Sequence, residues 1–248
     1  MTNLNNVLNQ LNTLKLQGMN QLLEEQLDEA ENKKVSYLSF LNTLLNAEIK
    51  VRKEKRIKRN MTGAHFPLMK SLKDFDFKHV KGISRVAVNE LLDFRWLDNR
   101  SNILFFGPPG LGKSHLSICL GIEAIEVGYK VCFERMAHLI ELLKLKDIQK
   151  TAGYRLNRIL KSNLFIIDEV GYTPIERKEA NLFFNLISEL YEKTSIIVTS
   201  NKGFDSWAEM MGDEIMTTAL LDRLLHKAKI FNLNGESYRI QNLIKGGK

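Results

Sequence analysis

Gly107, Pro108, Pro109, Gly110, Leu111, Gly112, Lys113 and Ser114 spell G-x-x-x-x-G-K-[ST], and few eight-residue stretches constrain a fold so tightly. The pattern works only between an apolar strand that enters the loop and a helix that leaves it. Residues 102–106 supply the strand and residues 115–127 the helix. Glycines let successive backbone N–H groups turn inward as an anion cradle, and the helix N-terminus adds its dipole. Lys113 then reaches the β- and γ-phosphates of a nucleoside triphosphate, and the Ser114 hydroxyl ligates Mg²⁺. His115 opens the helix beside them. The cofactors expected are a nucleoside triphosphate and Mg²⁺.

The rest of the chain suits such a loop. Apolar runs at 130–134, 164–167, 195–199 and 228–233 alternate with amphipathic stretches at 115–127, 137–149, 154–161, 177–192 and 217–226. That alternation predicts an α/β domain with a five-stranded parallel sheet. Residues 1–60 predict helix throughout. Leu4, Val7, Leu8, Leu11 and Leu14 recur at helical spacing, as do Leu38, Leu41, Leu44 or Leu45, and Ile49. Residues 61–66, ahead of Pro67, predict a linker. The expected organisation is an all-helical N-terminal domain over 1–66, a connector over 67–79 and a nucleotide-binding domain over 80–248.

A second chemical signal follows the run 164–167, which delivers two acids, Asp168 and Glu169, to a strand end. Asp168 is positioned to hold Mg²⁺ through its water shell. A carboxylate beside the magnesium aspartate can act as general base on water, so Glu169 predicts ATP hydrolysis and argues against a module that only binds. Asp168 and Gly171 also fit D-x-x-G, and Asn201 with Lys202 begins the N-K-x-D guanine-reading motif. That motif needs a carboxylate where Phe204 stands, and Asp205 comes one residue late. Adenine is favoured over guanine, although no residue reads adenine positively. If the strand 195–199 lies between the other two motif strands, Asn201 comes near the γ-phosphate and orients water.

Charge narrows the partners. The net charge is +7, and residues 50–59 hold seven cations (Lys50, Arg52, Lys53, Lys55, Arg56, Lys58, Arg59) against Glu54. A second basic stretch has Lys144, Lys146, Lys150, Arg155, Arg158 and Lys161 against Asp147. Neither carries an arrangement suited to base edges, so phosphate-dominated, weakly sequence-specific binding of mainly duplex DNA is expected. No apolar run approaches the ~18 residues of a membrane span, and no membrane partner is expected. The first basic residue is Lys15, unlike a secretory or transit signal. Cys119 and Cys132 lie in apolar runs without metal-ligand spacing, as in a reduced cytoplasmic protein.

Together these motifs resemble AAA+ ATPases, and among them the IstB-like helper ATPases of bacterial insertion sequences, relatives of DnaC-type helicase loaders. The resemblance spans nearly the whole chain. It takes in the helical N-terminal segment, Phe75, Asp76 and Phe77, the loop 107–114, and residues 165–171 and 199–201. It continues through Leu221, Asp222, Arg223, Leu224, Leu225 and His226 to residues 235–239. It implies a P-loop AAA+ core preceded by a small all-helical DNA- or partner-binding domain. About fifteen residues follow the last expected strand, too few for a full lid domain. It further implies that ATP drives homo-oligomer assembly on DNA and that the assembly recruits and stimulates a transposase. Loading of a replicative helicase is the alternative. Arg223 falls where the superfamily carries an arginine finger into a neighbouring subunit, and Arg239 where a sensor arginine could stand.

Overall fold

The computed structural model describes residues 3–172 and 174–238. Among these, no helix is long and apolar enough to cross a membrane. The chain divides into two compact units, Met1–Arg59 and Asn60–Lys248.

The first unit holds α1 (Leu4–Thr13), α2 (Gln17–Lys33) and most of the long α3 (Tyr37–Ala64). Neither joint uses glycine: Lys15 and Lys34 take left-handed backbone angles, φ 58° and 50°. The core is thin, with Leu11, Leu23 and Leu44 buried and Val7, Leu8, Met19, Leu27 and Phe40 packed around them. Helical spacing pointed to Leu38, Leu41, Leu44 or Leu45, and Ile49, and of these the structure buries Leu44. Leu38, Leu41, Leu45 and Ile49 stay outside, Leu38 at 82% exposure. The crossing of α2 on α3 sets this rotation. Gly18 allows an approach so near that a Cβ there would stand 2.5 Å from the Ala47 carbonyl oxygen. Glu48, one turn beyond Leu44, is drawn inward and accepts from the N–H groups of Gly18 (2.7 Å) and Met19 (3.4 Å). An acid on α3 thus caps the N-terminus of α2, which has no cap of its own.

The expected linker at 61–66 is mostly helix, because α3 continues to Ala64 and stops at His65, whose φ is 63°. Two arginines hold that last turn. The Arg155 guanidinium donates to the carbonyls of Gly63 (2.8 Å) and Ala64 (3.1 Å), which would otherwise be orphaned at the helix end. The Arg158 guanidinium occupies the space where a Cβ on Gly63 would lie.

The second unit begins with β1 (Val80–Lys81), α4 (Arg85–Leu91) and α5 (Arg95–Asp98). Then come β2 (Asn102–Phe106), α6 (Lys113–Val127), β3 (Val131–Arg135), α7 (Met136–Leu145), α8 (Lys150–Leu160) and β4 (Leu164–Val170). It ends with α9 (Arg177–Leu190), β5 (Ser195–Ser200), α10 (Asp205–Met211), α11 (Glu214–Leu225), β6 (Ala228–Asn232) and β7 (Asn234–Gly235). Five strands form a wholly parallel sheet in the order β3-β4-β5-β2-β6. Central strands covered on both faces explain the unbroken apolar runs that predicted them. The short helices α4, α5 and α10 and the antiparallel pair β1–β7 were not expected.

One basic residue of the second cluster is not a surface charge. Arg155 is 7% exposed, and its guanidinium pairs with Glu134 and donates to Phe133 O besides the α3 carbonyls. Lys144 is held by Glu179 at 2.8 Å. Arg158 turns toward Gly63 at the end of α3, which leaves Lys150 and the C-cap Lys161 as the exposed cations of α8.

Candidate active site

Parallel crossovers bring the C-terminal ends of β2, β4 and β5 to one sheet edge, with β5 in the middle. The motif residues gather there. The loop 107–114 leaves β2, its glycines in backbone conformations closed to most residues: Gly107 has φ 137° and Gly112 φ 82°. A Cβ on Gly107 would stand 2.1 Å from the Leu233 carbonyl oxygen, and one on Gly112 would stand 2.5 Å from the Phe75 ring. Leu111 is 2% exposed and turns into the core, whereas Pro108 and Pro109 lie on the surface. Gly110 accepts from the Tyr238 N–H at 3.2 Å. The Lys113 ammonium is almost buried and donates to the carbonyls of Gly107 (2.6 Å) and Pro108 (2.8 Å).

Across the cleft, Asp168 is 3% exposed and binds two hydroxyls on one oxygen. Ser114 Oγ donates to Oδ1 at 2.6 Å, and Thr199 Oγ1 donates to the same atom at 2.5 Å. The Thr199 oxygen in turn accepts from the Glu169 N–H at 3.0 Å. Glu169 has φ 63°, at a point where the β4–β5 register shifts between Ile167 and Val170. A left-handed glutamate in a strand is strained by about 1 kcal/mol or more, and such strain collects at functional sites. Its carboxylate reaches Arg135, Nε to Oε2 at 3.6 Å, with both groups about half exposed.

Asn201, just past β5, has its Oδ1 buried without a hydrogen-bond partner among the described residues. A buried orphan acceptor costs about 1–3 kcal/mol, so it is a place where a bound donor belongs. The glycine backbone of the loop, the almost buried Lys113 ammonium and the hard oxygen pair of Ser114 and Asp168 suit a nucleoside triphosphate with Mg²⁺, and the orphan oxygen suits a water beside it.

Three residues of this edge had no role assigned from the sequence. Thr199 ties the two acids together, Arg135 faces Glu169, and Phe75 of the connector packs on the loop. Phe75 is 6% exposed and meets the His115 ring edge-on at 5.5 Å, while His115 Nε2 lies 2.9 Å from Ser71 O. Arg135 could have been found only with the strand order in hand, since it is the register partner of Asp168. Phe204, which breaks the guanine motif, packs edge-on against Phe106 at 4.6 Å.

Arg223 is not at this edge. It lies in the last turn of α11, donates to Ala219 O at 2.7 Å, and sits 4.7 Å over the Phe184 ring. It lines a shallow cleft with Arg100, Asn102, Thr194 and Ile196, at the N-terminal ends of β2 and β5. The length of β2, about 13 Å, therefore separates it from the phosphate loop of its own chain. Arg239 lies outside the described residues.

A model of a family described as IstB-like ATP binding protein matches residues 9–246. The chain belongs to that family. An insertion sequence IS21 putative ATP-binding protein from Pseudomonas aeruginosa is 39% identical, covering 96% of this chain and 89% of its own length. The corresponding IS5376 protein from Geobacillus stearothermophilus is 40% identical over 86% of this chain and 84% of its own length. Among solved structures, DnaI shares the fold with a TM-score of 0.57 at 17% identity, over 66% of this chain and 91% of its own. AMPPCP-bound DnaA from Aquifex aeolicus gives a TM-score of 0.53 at 21% identity, over 73% of this chain and 55% of its own. At such identities these likenesses speak for the fold, an AAA+-type α/β core.

Proposed function

We propose that this IstB-like protein hydrolyses ATP, assembles on DNA as a homo-oligomer and assists the transposase of its insertion sequence. The observation that carries the hydrolytic part is the anchoring of Asp168 and Glu169 through one hydroxyl, Thr199. In this reading, residues 1–66 bind DNA or a partner, 67–79 connect, and 80–248 turn over ATP.

Within the site, the loop N–H groups and Lys113 would hold the β- and γ-phosphates. Ser114 and Asp168 would hold Mg²⁺, which supplies positive charge against the phosphate oxygens. Glu169 would take the proton of a water molecule, and the orphan Asn201 Oδ1 would accept a hydrogen bond from that water and fix its direction. Arg135 competes for the Glu169 carboxylate and would have to release it before each turnover. Because Arg223 lies a strand's length from its own phosphate loop, its role would be in trans, which makes hydrolysis depend on assembly. The seven cations at 50–59 of α3 support a polyanionic partner. The insertion-sequence relatives favour a transposase over a replicative helicase as the protein partner.

The direct test separates binding from turnover. Lys113→Ala is expected to abolish ATP binding, whereas Glu169→Gln keeps ATP affinity and slows hydrolysis by about 10²-fold or more. Normal turnover by the glutamine variant removes Glu169 as base.

A further inference from the structure

The outer face of α8 presents one tyrosine between lysines. At 3.6 residues per turn, Lys150, Tyr154, Asn157 and Lys161 fall within about 60° of arc and span about 16 Å along the axis. All four are exposed, Tyr154 at 73%, and Ile148 just before the helix is 78% exposed. The opposite face is closed: Ala152, Arg155, Leu156 and Ile159 are buried. Arg155 fastens that inner face to Glu134, Phe133 and the end of α3 through its guanidinium. The stripe is therefore carried on a helix that is anchored and not free to roll.

We propose that this stripe is a DNA-contacting edge in which the Tyr154 ring stacks on a base at a locally opened step, while Lys150 and Lys161 take flanking phosphates. The inference rests on the DNA-binding reading above and adds a base-directed contact to it. Two features favour nucleic acid over a protein partner. The stripe itself carries two cations and no acid, with Asp147 the one acid in the joint before it. Tyr154 and Ile148 between ammonium groups offer far less apolar area than a protein hot spot, which is a cluster ringed by excluded water. Tyrosine orders only two side-chain torsions on stacking, a low entropic cost with either kind of partner. Base–aromatic stacking is sequence-tolerant because every base has a flat face. The stripe thus adds preference for distorted DNA without adding sequence specificity.

The test compares anisotropy titrations of the full-length protein, with a non-hydrolysable ATP analogue, on an intact duplex and on the same duplex with a three-nucleotide mismatched bubble. Wild type is expected to prefer the bubble by about tenfold, the scale of one stacked base. Tyr154→Ala should bind both duplexes alike, and Tyr154→Phe should keep the preference. Lys150→Ala with Lys161→Ala should weaken both and flatten the slope of log K against log salt by about 1.8 on duplex, two phosphates' worth. Far-ultraviolet dichroism and melting temperature establish that each variant is folded. A preference that survives in Tyr154→Ala, or is absent in wild type, overturns the proposal while leaving DNA binding intact. A Tyr154→Ala variant that binds both duplexes as wild type does but no longer assembles assigns the ring to protein contact and overturns it also. Wild type that binds neither duplex sinks the DNA-binding reading itself.

Discussion

The Thr199 hydroxyl donates to Asp168 Oδ1 at 2.5 Å and accepts the Glu169 N–H at 3.0 Å, so one side chain on β5 fixes both acids of β4. Removing the hydroxyl leaves a buried carboxylate short of a donor and a strained backbone amide short of an acceptor. Thr199→Val, nearly isosteric, is expected to lower ATP turnover by about 10–100-fold, the usual cost of losing a group that orients a metal ligand. The Mg²⁺ concentration for half-maximal turnover should rise, and ATP affinity should change little. Thr199→Ser restores the hydroxyl and should recover most of the rate. Equal turnover by the valine and serine variants would show that the bonds to Asp168 and Glu169 are dispensable.

What could be seen in advance divides along one line. The loop 107–114 and the pair Asp168–Glu169 were legible because their chemistry requires contiguous residues. Thr199 and Arg135 were not, because their roles exist only once β5 and β3 flank β4, and no local pattern carries strand order. The four- and seven-residue helices α4, α5 and α10 are too short for an apolar period to register. Charge alone could not tell Arg155 from its neighbours. It reads as one of six cations, yet it is buried against Glu134 and the end of α3. On α3 the spacing found Leu44 but not its neighbour one turn on, because a glutamate at position 48, and not Ile49, turns inward.

Arg223 gives a prediction about assembly. It lies at the N-terminal strand edge, stacked on Phe184 and bonded to Ala219 O, away from its own phosphate loop. Arg223→Ala should therefore lose hydrolysis in the assembled state, by about 10³-fold if the group acts as a finger in trans, with ATP affinity retained. Mixing it with Glu169→Gln subunits should restore part of the activity, since some interfaces then hold an intact glutamate opposite an intact arginine. Wild-type turnover by Arg223→Ala alone would assign the residue to packing on Phe184.

Glu48 makes the N-terminal unit sensitive to acid. Burial pushes its carboxyl up, but the Arg52 guanidinium and the N–H groups of Gly18 and Met19 outweigh this and hold it below the usual carboxylate range. A folded value below the unfolded one means stability that is fully present above the unfolded pKa of about 4.3 and lost as pH falls through the folded value. Protection factors of α2 amides in the full-length protein, referred to the intrinsic exchange rate at each pH, should fall below about pH 4. Glu48→Gln should exchange faster at neutral pH, by the loss of about 1–2 kcal/mol for a charged cap, and should show a flatter acid response. An unchanged pH profile in the glutamine variant would clear Glu48 of the effect.

The basic end of α3 allows a cleaner test of phosphate contact than wholesale charge reversal. Arg52 holds Glu48 at 2.6 Å and Lys55 binds Gln17, so altering either would loosen α2 as well as remove charge. Lys50, Lys53 and Arg56 are exposed and recur every three residues along the same helix. Reversing these three to glutamate should weaken DNA binding on every sequence tested and flatten the plot of log K against log salt. Each lost duplex phosphate contact removes about 0.9 from that slope. Helical content should hold, because none of the three is among the buried residues of the unit. ATP affinity should hold too, since the loop and both acids lie in the other unit. Full affinity and slope in the triple variant would move phosphate contact off α3 and onto the outer face of α8. Lower affinity with an unaltered slope would mean that the substitutions disturbed the helices and removed no phosphate contact.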